Sequence, residues 1–343
     1  MKASSYHSVT TMTPLRVSFL GGGTDFPEFH KSDEGLVVSM AIQQFIYVTV
    51  KRHSPLFGER YRISYSETEH VDSLEDIQNE IVRSCIELVG LEEPLYVATS
   101  SDLPAQSGLG SSSSFAVGLL NALHLMLGQP VSAGQLAEEA CEVEIIRMGK
   151  PIGKQDQYAA AFGGLNAFRF HTDGRVSIDP IALDRRTMAV LEDLVLLWTG
   201  MQRKAELILR EQNERTAQNQ DALHELVRLS DEFKGQLISG EMTLDQMADL
   251  LSHSWRLKRC LASSVTSTEL DTVYESCLRA GALGGKLLGA GGGGFLLMCV
   301  RAQDRRAFLR DVGSLVDVPV LLEPQGSRML STVSACAEIV PAI

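Results

Sequence analysis

Apolar positions recur along this chain in two rhythms, and the switches between them mark out its elements. Alternating or unbroken apolar runs rich in β-branched residues predict strands over residues 15–20, 36–50, 61–65 and 95–99. Between them, Ile77, Ile81, Val82, Ile86 and Val89 return at the three-and-four spacing of a helix face. An apolar helix is expected over 115–127, stopped by Gly128 and Pro130, and another over 136–147. Gly163-Gly164 then opens a hairpin whose turn signal is Asp173-Gly174.

From Leu191 the texture changes. A strand over 194–198 precedes a long, highly charged helical region from 204 to about 236, with further helices over 244–260 and 270–280. A strand at 295–300, a helix at 304–316 and closing strands at 318–322 and 332–339 complete the order, which resembles a split βαβ α+β sandwich. The change predicts two domains, 1–185 and 186–343, the first of mixed α/β character, with no repeat and no low-complexity linker.

Composition narrows the class. The 343 residues are 44% hydrophobic and 22% charged, the balance of a globular chain. Lys+Arg number 31 against 43 Asp+Glu, and the resulting charge of −12 argues against a nucleic-acid partner. No apolar run approaches the ~18 residues of a membrane span, and the polar first 14 residues lack a signal-peptide core. The six cysteines are scattered without a CxxC pair, so reduced thiols and a cytoplasmic location are expected, without structural zinc. The histidines form no cluster, which gives metal-hydrolase chemistry no support.

The 29 glycines change the picture most, because they are concentrated. One cluster, Gly21-Gly22-Gly23-Thr24-Asp25, leaves a predicted strand. A second runs from Pro104 through Ser107-Gly108-Leu109-Gly110 and four serines, Ser111 to Ser114, into the helix beginning near Phe115. A third, Gly289-Ala290-Gly291-Gly292-Gly293-Gly294, runs into the strand beginning at Phe295. Glycines let a backbone turn its N–H groups toward an anion, and a helix N-terminus adds partial positive charge. One serine would suffice to cap the helix; four behind a Gly-Leu-Gly point to phosphate.

Common nucleotide motifs do not account for these clusters. No GxxxxGK[ST] occurs, and Gly289-x-Gly291-x-x-Gly294 has its helix before and its strand after, the inverse of a dinucleotide fold. Protein-kinase HRD and DFG signatures are absent. Instead, Pro104-x-x-x-Gly108-Leu109-Gly110-Ser111-Ser112 resembles the signature of the GHMP kinases, the galactokinase, homoserine kinase, mevalonate kinase and phosphomevalonate kinase superfamily. The segments running from Lys286 to Gly294 and from Arg16 to Asp25 are similar to its third and first motifs, in the same order along the chain. Within the superfamily, Gly21 to Phe29, Gly153 to Ala160 and Trp198 to Arg203 are most similar to kinases acting on a heptose 7-phosphate.

The resemblance implies a ribosomal-protein-S5-like α/β N-terminal domain, a ferredoxin-like C-terminal domain, and a cleft between them for ATP and Mg²⁺. It implies phosphorylation of an anomeric hydroxyl on the way to nucleotide-activated heptose. Asp156 matches the family's base, and its bland alternative is an aspartate favoured at a helix N-terminus. Arg16 matches an arginine near the transferred phosphate. Pro104, Ser107, Gly108, Leu109, Gly110, Ser111, Ser112, Ser113, Gly291 and Gly292 are the expected nucleotide-binding residues. Ser112 and Glu144 are the expected metal ligands, with Glu142 as the competing carboxylate. Gly23, Thr24, Asp25 and Glu28 are expected at the sugar. For a substrate phosphate, Lys154 and Arg203 are the foremost cations, followed by Lys204, Lys286 and Lys150.

Two rivals accompany this reading: a kinase for an unphosphorylated sugar of the fucose or galactose type, and a catalytically dead relative that binds ATP or sugar. The second would be expected to have lost its base or its metal ligands, and here Ser112, Glu144 and Asp156 all remain. The expected partner is a small-molecule sugar phosphate. Self-association is compatible with the sequence but not specified by it.

Overall fold

The computed structural model describes residues 6–202 and 205–334. The first part of the chain forms β1 (Tyr6–Leu20), α1 (Pro27–His30), β2 (Gly35–Arg52), β3 (Tyr61–Ser64), β4 (Thr68–Val71), α2 (Glu80–Val89) and β5 (Leu95–Ser101). Helices α3 (Ser111–Met126), α4 (Ala133–Cys141) and α5 (Gln155–Phe162) follow, with a π-helical turn over Glu142–Arg147 continuing α4. The hairpin expected after Gly163-Gly164 is β6 (Leu165–Phe170) and β7 (Val176–Pro180).

These strands build one sheet on β2. Its first half, Gly35–Met40, pairs with β6, and its second half, Ile46–Arg52, pairs with β5. β1 runs antiparallel beside the whole strand, with a register shift between Pro14 and Leu15. Helix α3 lies across β1 and β2. Gly118 permits that close approach, because a Cβ there would stand 2.6 Å from Thr13 Oγ1.

The rest of the chain forms α6 (Arg185–Glu192), β8 (Leu194–Trp198), α7 (Ala205–Glu214), α8 (Gln220–Ser239), α9 (Leu244–Leu261), α10 (Thr268–Arg279), β9 (Gly284–Leu287), β10 (Phe295–Cys299), α11 (Arg305–Asp311), β11 (Val316–Val318) and β12 (Arg328–Ser334). The smaller sheet is antiparallel in the order β11-β8-β10-β9, which is the split βαβ arrangement of a ferredoxin-like layer. Both of its faces are covered. Leu194 and Leu196 of β8 join the main core, whereas Val195 and Leu197 pack with Trp255 and Phe308 on the other side. That two-sided burial is why β8 reads as an unbroken apolar run.

Two expectations need correction. The helix expected over 304–316 ends at Asp311, and the strand after it is Val316–Val318 rather than 318–322. The helical region expected from 204 to about 236 consists of α7 and α8, parted where Thr216 and Asn219 make turn hydrogen bonds. Among the described residues, the part of the chain after 186 does not keep to one sheet. β12 leaves the second unit and pairs antiparallel with β1, extending the first sheet. The open edge of β1 offers it a row of unpaired backbone groups that must be satisfied. The expected strand at 332–339 falls partly on residues outside those described. No described helix is long and apolar enough to cross a membrane.

Candidate active site

The second glycine cluster delivers its loop to the N-terminus of α3. Gly110 is the N-cap, in the left-handed region at φ 77°, where a side chain would be strained. Its Cα faces the next feature of the site, since a Cβ there would lie 3.3 Å from Asp156 Oδ2 and 3.4 Å from Arg16 Cγ. Ser111, Ser112 and Ser113 form the first turn, so their N–H groups have no partner within the helix and face the cleft.

Arg16, on β1, and Asp156, in the first turn of α5, meet beneath that loop. Arg16 Nε donates to Asp156 Oδ1 at 2.7 Å and Nη2 to Oδ2 at 2.8 Å, while Nη1 donates to the Gly108 carbonyl at 2.6 Å. The arginine is 4% exposed. A buried guanidinium is thus joined to the carboxylate by two parallel bonds and to the phosphate loop by a third.

Glu144 sits in the π-helical turn and is fully buried. It accepts hydrogen bonds from Ser112, from Ser113 Oγ at 2.6 Å and from Gln157 Nε2 at 2.7 Å. Lys150 Nζ donates both to Ser112 Oγ at 2.8 Å and to Glu144 Oε1 at 3.0 Å. A hydroxyl and a carboxylate oxygen therefore already share a positive charge, which is the donor set and the charge balance that a magnesium ion takes. Glu142 is paired instead with Arg147, at 2.9 and 3.0 Å on the exposed side of the turn.

These groups line a cleft of 890 Å³ that includes Gly108, Gly110, Ser111, Ser112, Ser113, Glu144, Lys150 and Asp156. Its lining also includes the apolar Ile46, Tyr65, Ile81 and Phe115, together with Asn79 and Thr99. The sequence marked no such surface, because its residues come from separate stretches of the chain. A smaller pocket adjoins it, lined by Ser18, Gly22, Gly23, Asp25, Gln155, Lys258 and Lys286. Arg16, Asp156, Ile152, Leu209, Gly289 and Ala290 line both.

Asp25 is buried at 1% exposure, accepting from the N–H of Gly23 at 2.9 Å and of Gln155 at 3.2 Å. Burial pushes its carboxyl above the ordinary value, the two N–H bonds oppose this, and the nearby Asp156 charge adds to it. Gly153 makes room for it, since a Cβ there would be 1.9 Å from Asp25 Oδ2.

Several expected residues lie elsewhere. Thr24 is buried as a strut, its hydroxyl donating to the Gly21 carbonyl at 2.8 Å. Glu28 is exposed on α1 and lines neither pocket. Lys154 turns to Glu138, at 3.2 Å, and away from the smaller pocket. Ser107 and Leu109 support the loop from behind: both are fully buried, and the Leu109 carbonyl accepts from the Arg16 N–H at 3.1 Å, whereas Pro104 is exposed and none of the three lines the cleft. Gly291 and Gly292 line neither pocket, and the Gly292 N–H is bound to the Val265 carbonyl at 2.8 Å. In the third cluster Gly289 and Gly294 touch the loop, where a Cβ would stand 2.3 Å from Gly108 Cα and 2.3 Å from the Ser107 carbonyl oxygen respectively. Arg203 and Lys204 lie outside the described residues.

Besides Arg16, the smaller pocket's cations are Lys258, from α9, and Lys286, from β9. Sequence reasoning named Lys286 only in passing and missed Lys258, whose spacing on α9 reads as an ordinary charged position.

Comparisons with known proteins agree with this geometry. The family model for the GHMP kinases N-terminal domain matches residues 78–164, and that for the GHMP kinases C-terminal domain matches 238–316. The D-glycero-alpha-D-manno-heptose 7-phosphate kinase of Campylobacter jejuni is 31% identical over 310 residues, covering 85% of this chain and 89% of that one. The bifunctional fucokinase/GDP-fucose pyrophosphorylase of Arabidopsis thaliana is 25% identical over 87% of this chain, but the match spans 30% of that protein. Among solved structures, a D-glycero-D-manno-heptose 1-phosphate kinase from Bacteroides thetaiotaomicron superposes with a TM-score of 0.77 at 24% identity, covering 95% of this chain and all of that one.

Proposed function

The chain belongs to the GHMP kinase family, and from that premise we propose that it transfers the γ-phosphoryl group of ATP to the anomeric hydroxyl of D-glycero-D-manno-heptose 7-phosphate, yielding the 1,7-bisphosphate. Its general class is that of an ATP-dependent sugar kinase. The observation that carries the proposal is the position of Arg16 and Asp156 on the shared wall of the two pockets. A group held on one side can pass to an oxygen held on the other without leaving the protein.

The cleft would take the nucleotide. Its apolar lining, with Tyr65 and Phe115, suits a purine, and the Ser111–Ser113 N–H groups at the start of α3 suit the phosphates. Ser112 and Glu144 would hold magnesium, which when bound neutralises phosphate charge as the bond to the leaving oxygen lengthens. Lys150 would then lose its place between them and be released toward the phosphates.

The smaller pocket would take the sugar, with its hydroxyls on Asp25, Ser18 and Gln155. Asp156 accepts the acceptor hydroxyl's proton at an Oδ atom as the new P–O bond forms. Arg16 bonds both carboxylate oxygens and so holds Asp156 in register. That suits a loose transition state. Arg16 then faces the charge developing on the transferred group.

A panel of sugars and sugar phosphates, read by ADP release and by phosphorus NMR of the product, tests the reading. Turnover confined to the heptose 7-phosphate supports it. Preferred turnover of free fucose or galactose would replace it with an unphosphorylated-sugar kinase, and nucleotide binding without turnover of any sugar would leave a binding protein.

A further inference from the structure

The smaller pocket contains two ammonium groups that form no ion pair with a carboxylate among the described residues. Lys258 is 8% exposed and Lys286 is 3% exposed. Among the described residues, Lys258 Nζ has one hydrogen-bond acceptor, the Gly289 carbonyl, and Lys286 Nζ has one, the Phe19 carbonyl, at 2.7 Å. An ammonium carries three donors, so two on each remain uncommitted. The pocket's own carboxylates act on Lys258 only through space and bond to neither lysine. Asp156 is bound through both oxygens by Arg16, and Asp25 accepts from two backbone N–H groups. Neither lysine lines the larger cleft. A buried charge is ordinarily paired, because its desolvation costs several kcal/mol. Two unpaired ones in a single pocket mark a place built for an anion that the protein does not contain.

We propose that Lys258 and Lys286 are the specificity-determining pair of the acceptor pocket, holding the phosphate that the sugar already carries. This rests on the phosphorylated-sugar reading above and assigns its anchor. It moves that role from Lys154 and Arg203 to two residues that the fold brings together from α9 and β9. Their position on the acceptor side, and their absence from the nucleotide cleft, tie them to the acceptor's phosphate rather than to those of ATP. A dianion facing both groups would make charge-assisted hydrogen bonds, about twice as strong as neutral ones.

The electrostatics of the pocket supports the assignment. The charged groups facing Lys258 are Arg16, Lys286, Asp25 and Asp156. Burial first, and the Arg16 charge second, lower the Lys258 ammonium to about 8, while the two carboxylates raise it. Lys286 is held well below the usual ammonium range by burial, then by Lys258 and Arg16. An incoming phosphate would restore the charged form of both.

The test compares kcat/KM for the heptose 7-phosphate and for the free heptose, in the full-length wild type and in Lys258→Met and Lys286→Met. Nucleotide binding serves as the check of folding. The ratio of the two substrates should fall by about 10²-fold in each variant, because the loss of one charge-assisted contact reads out mainly on the phosphorylated sugar. An equal loss on both substrates would overturn the anchor and leave the heptose-phosphate reading standing. Equal use of the two sugars by the wild type would overturn that reading itself. A measurement needing no variant runs alongside. In the wild type, kcat/KM for the 7-phosphate should decline as pH rises through about 8 while that for the free sugar stays level. Parallel profiles for the two sugars would count against the anchor.

Discussion

Arg16 and Asp156 form a two-bond ion pair, at 2.7 and 2.8 Å, on the wall shared by the larger cleft and the smaller pocket. The two residues are 140 positions apart, and neither could hold this geometry alone. The pair fixes the Asp156 carboxylate and holds a buried guanidinium beside it.

Asp156→Asn is expected to lower kcat by ~10²–10⁴ with little change in ATP affinity, the range for a positioned acid/base group. Arg16→Lys keeps the charge but loses the two-pronged bond, so kcat should fall although the charge is preserved. Steady-state kinetics with a separate nucleotide titration would check both. A wild-type kcat in Asp156→Asn would remove that residue from the chemistry.

Ser112→Ala and Glu144→Gln should each raise the divalent-cation concentration needed for half-maximal rate. Because both oxygens sit on one site, the double variant should lose less than the product of the two single losses. Direct Mn²⁺ binding in the presence of nucleotide gives a readout independent of turnover. Fully multiplicative losses with unchanged metal affinity would separate the two residues.

Gly153→Ala should cripple the acceptor side selectively. Its Cβ would lie 1.9 Å from Asp25 Oδ2 and 2.7 Å from Phe26 Cδ1, so the loop or the carboxylate must shift. We expect a rise in sugar KM of ~10-fold or more, a stability loss of about 1–3 kcal/mol typical of overpacking, and retained nucleotide affinity. Unaltered sugar kinetics would show that Asp25 does not touch the acceptor.

Lys258→Met should stabilise the ligand-free protein at neutral pH. A lysine whose folded value is lowered binds fewer protons when folded than when unfolded, between about 8 and its ordinary 10.5. Wild-type stability therefore rises with pH across that window relative to the variant, and below it the buried charge costs up to about 3 kcal/mol. The freed Gly289 carbonyl offsets about 1 kcal/mol of the gain. Thermal melts at pH 7 and pH 10 would show a higher Tm for the variant at pH 7 and a smaller difference at pH 10. A destabilised variant at pH 7 would mean that the ammonium contributes to the fold itself.

What the sequence determined by itself was whatever is written in consecutive residues. The glycine runs, the serines opening α3 and the aspartate opening α5 are local chemistry, so a glycine-serine loop at the start of α3 and an aspartate in the first turn of α5 were legible. So were β8 and β10 of the second sheet, since they are unbroken apolar runs, whereas β9, with two glycines and a lysine, carries no such signal. Glu144 was legible over Glu142 only through a resemblance of spacing; the π-helical turn that buries one and exposes the other leaves no mark in composition.

Tertiary structure alone decided the rest, because those features depend on which distant surfaces meet. Thr24, Glu28 and Lys154 stand in or beside the right motifs, yet a strut bond, an exposed helix and the Glu138 carboxylate claim them. β12 looks like a closing strand of its own unit until the open edge of β1 is available to pair with it. Lys258 reads as one more charge on an amphipathic helix. Only the packing of α9 and β9 against the glycine loops buries its ammonium beside that of Lys286, and burial is what turns an ordinary surface cation into one that needs an anion.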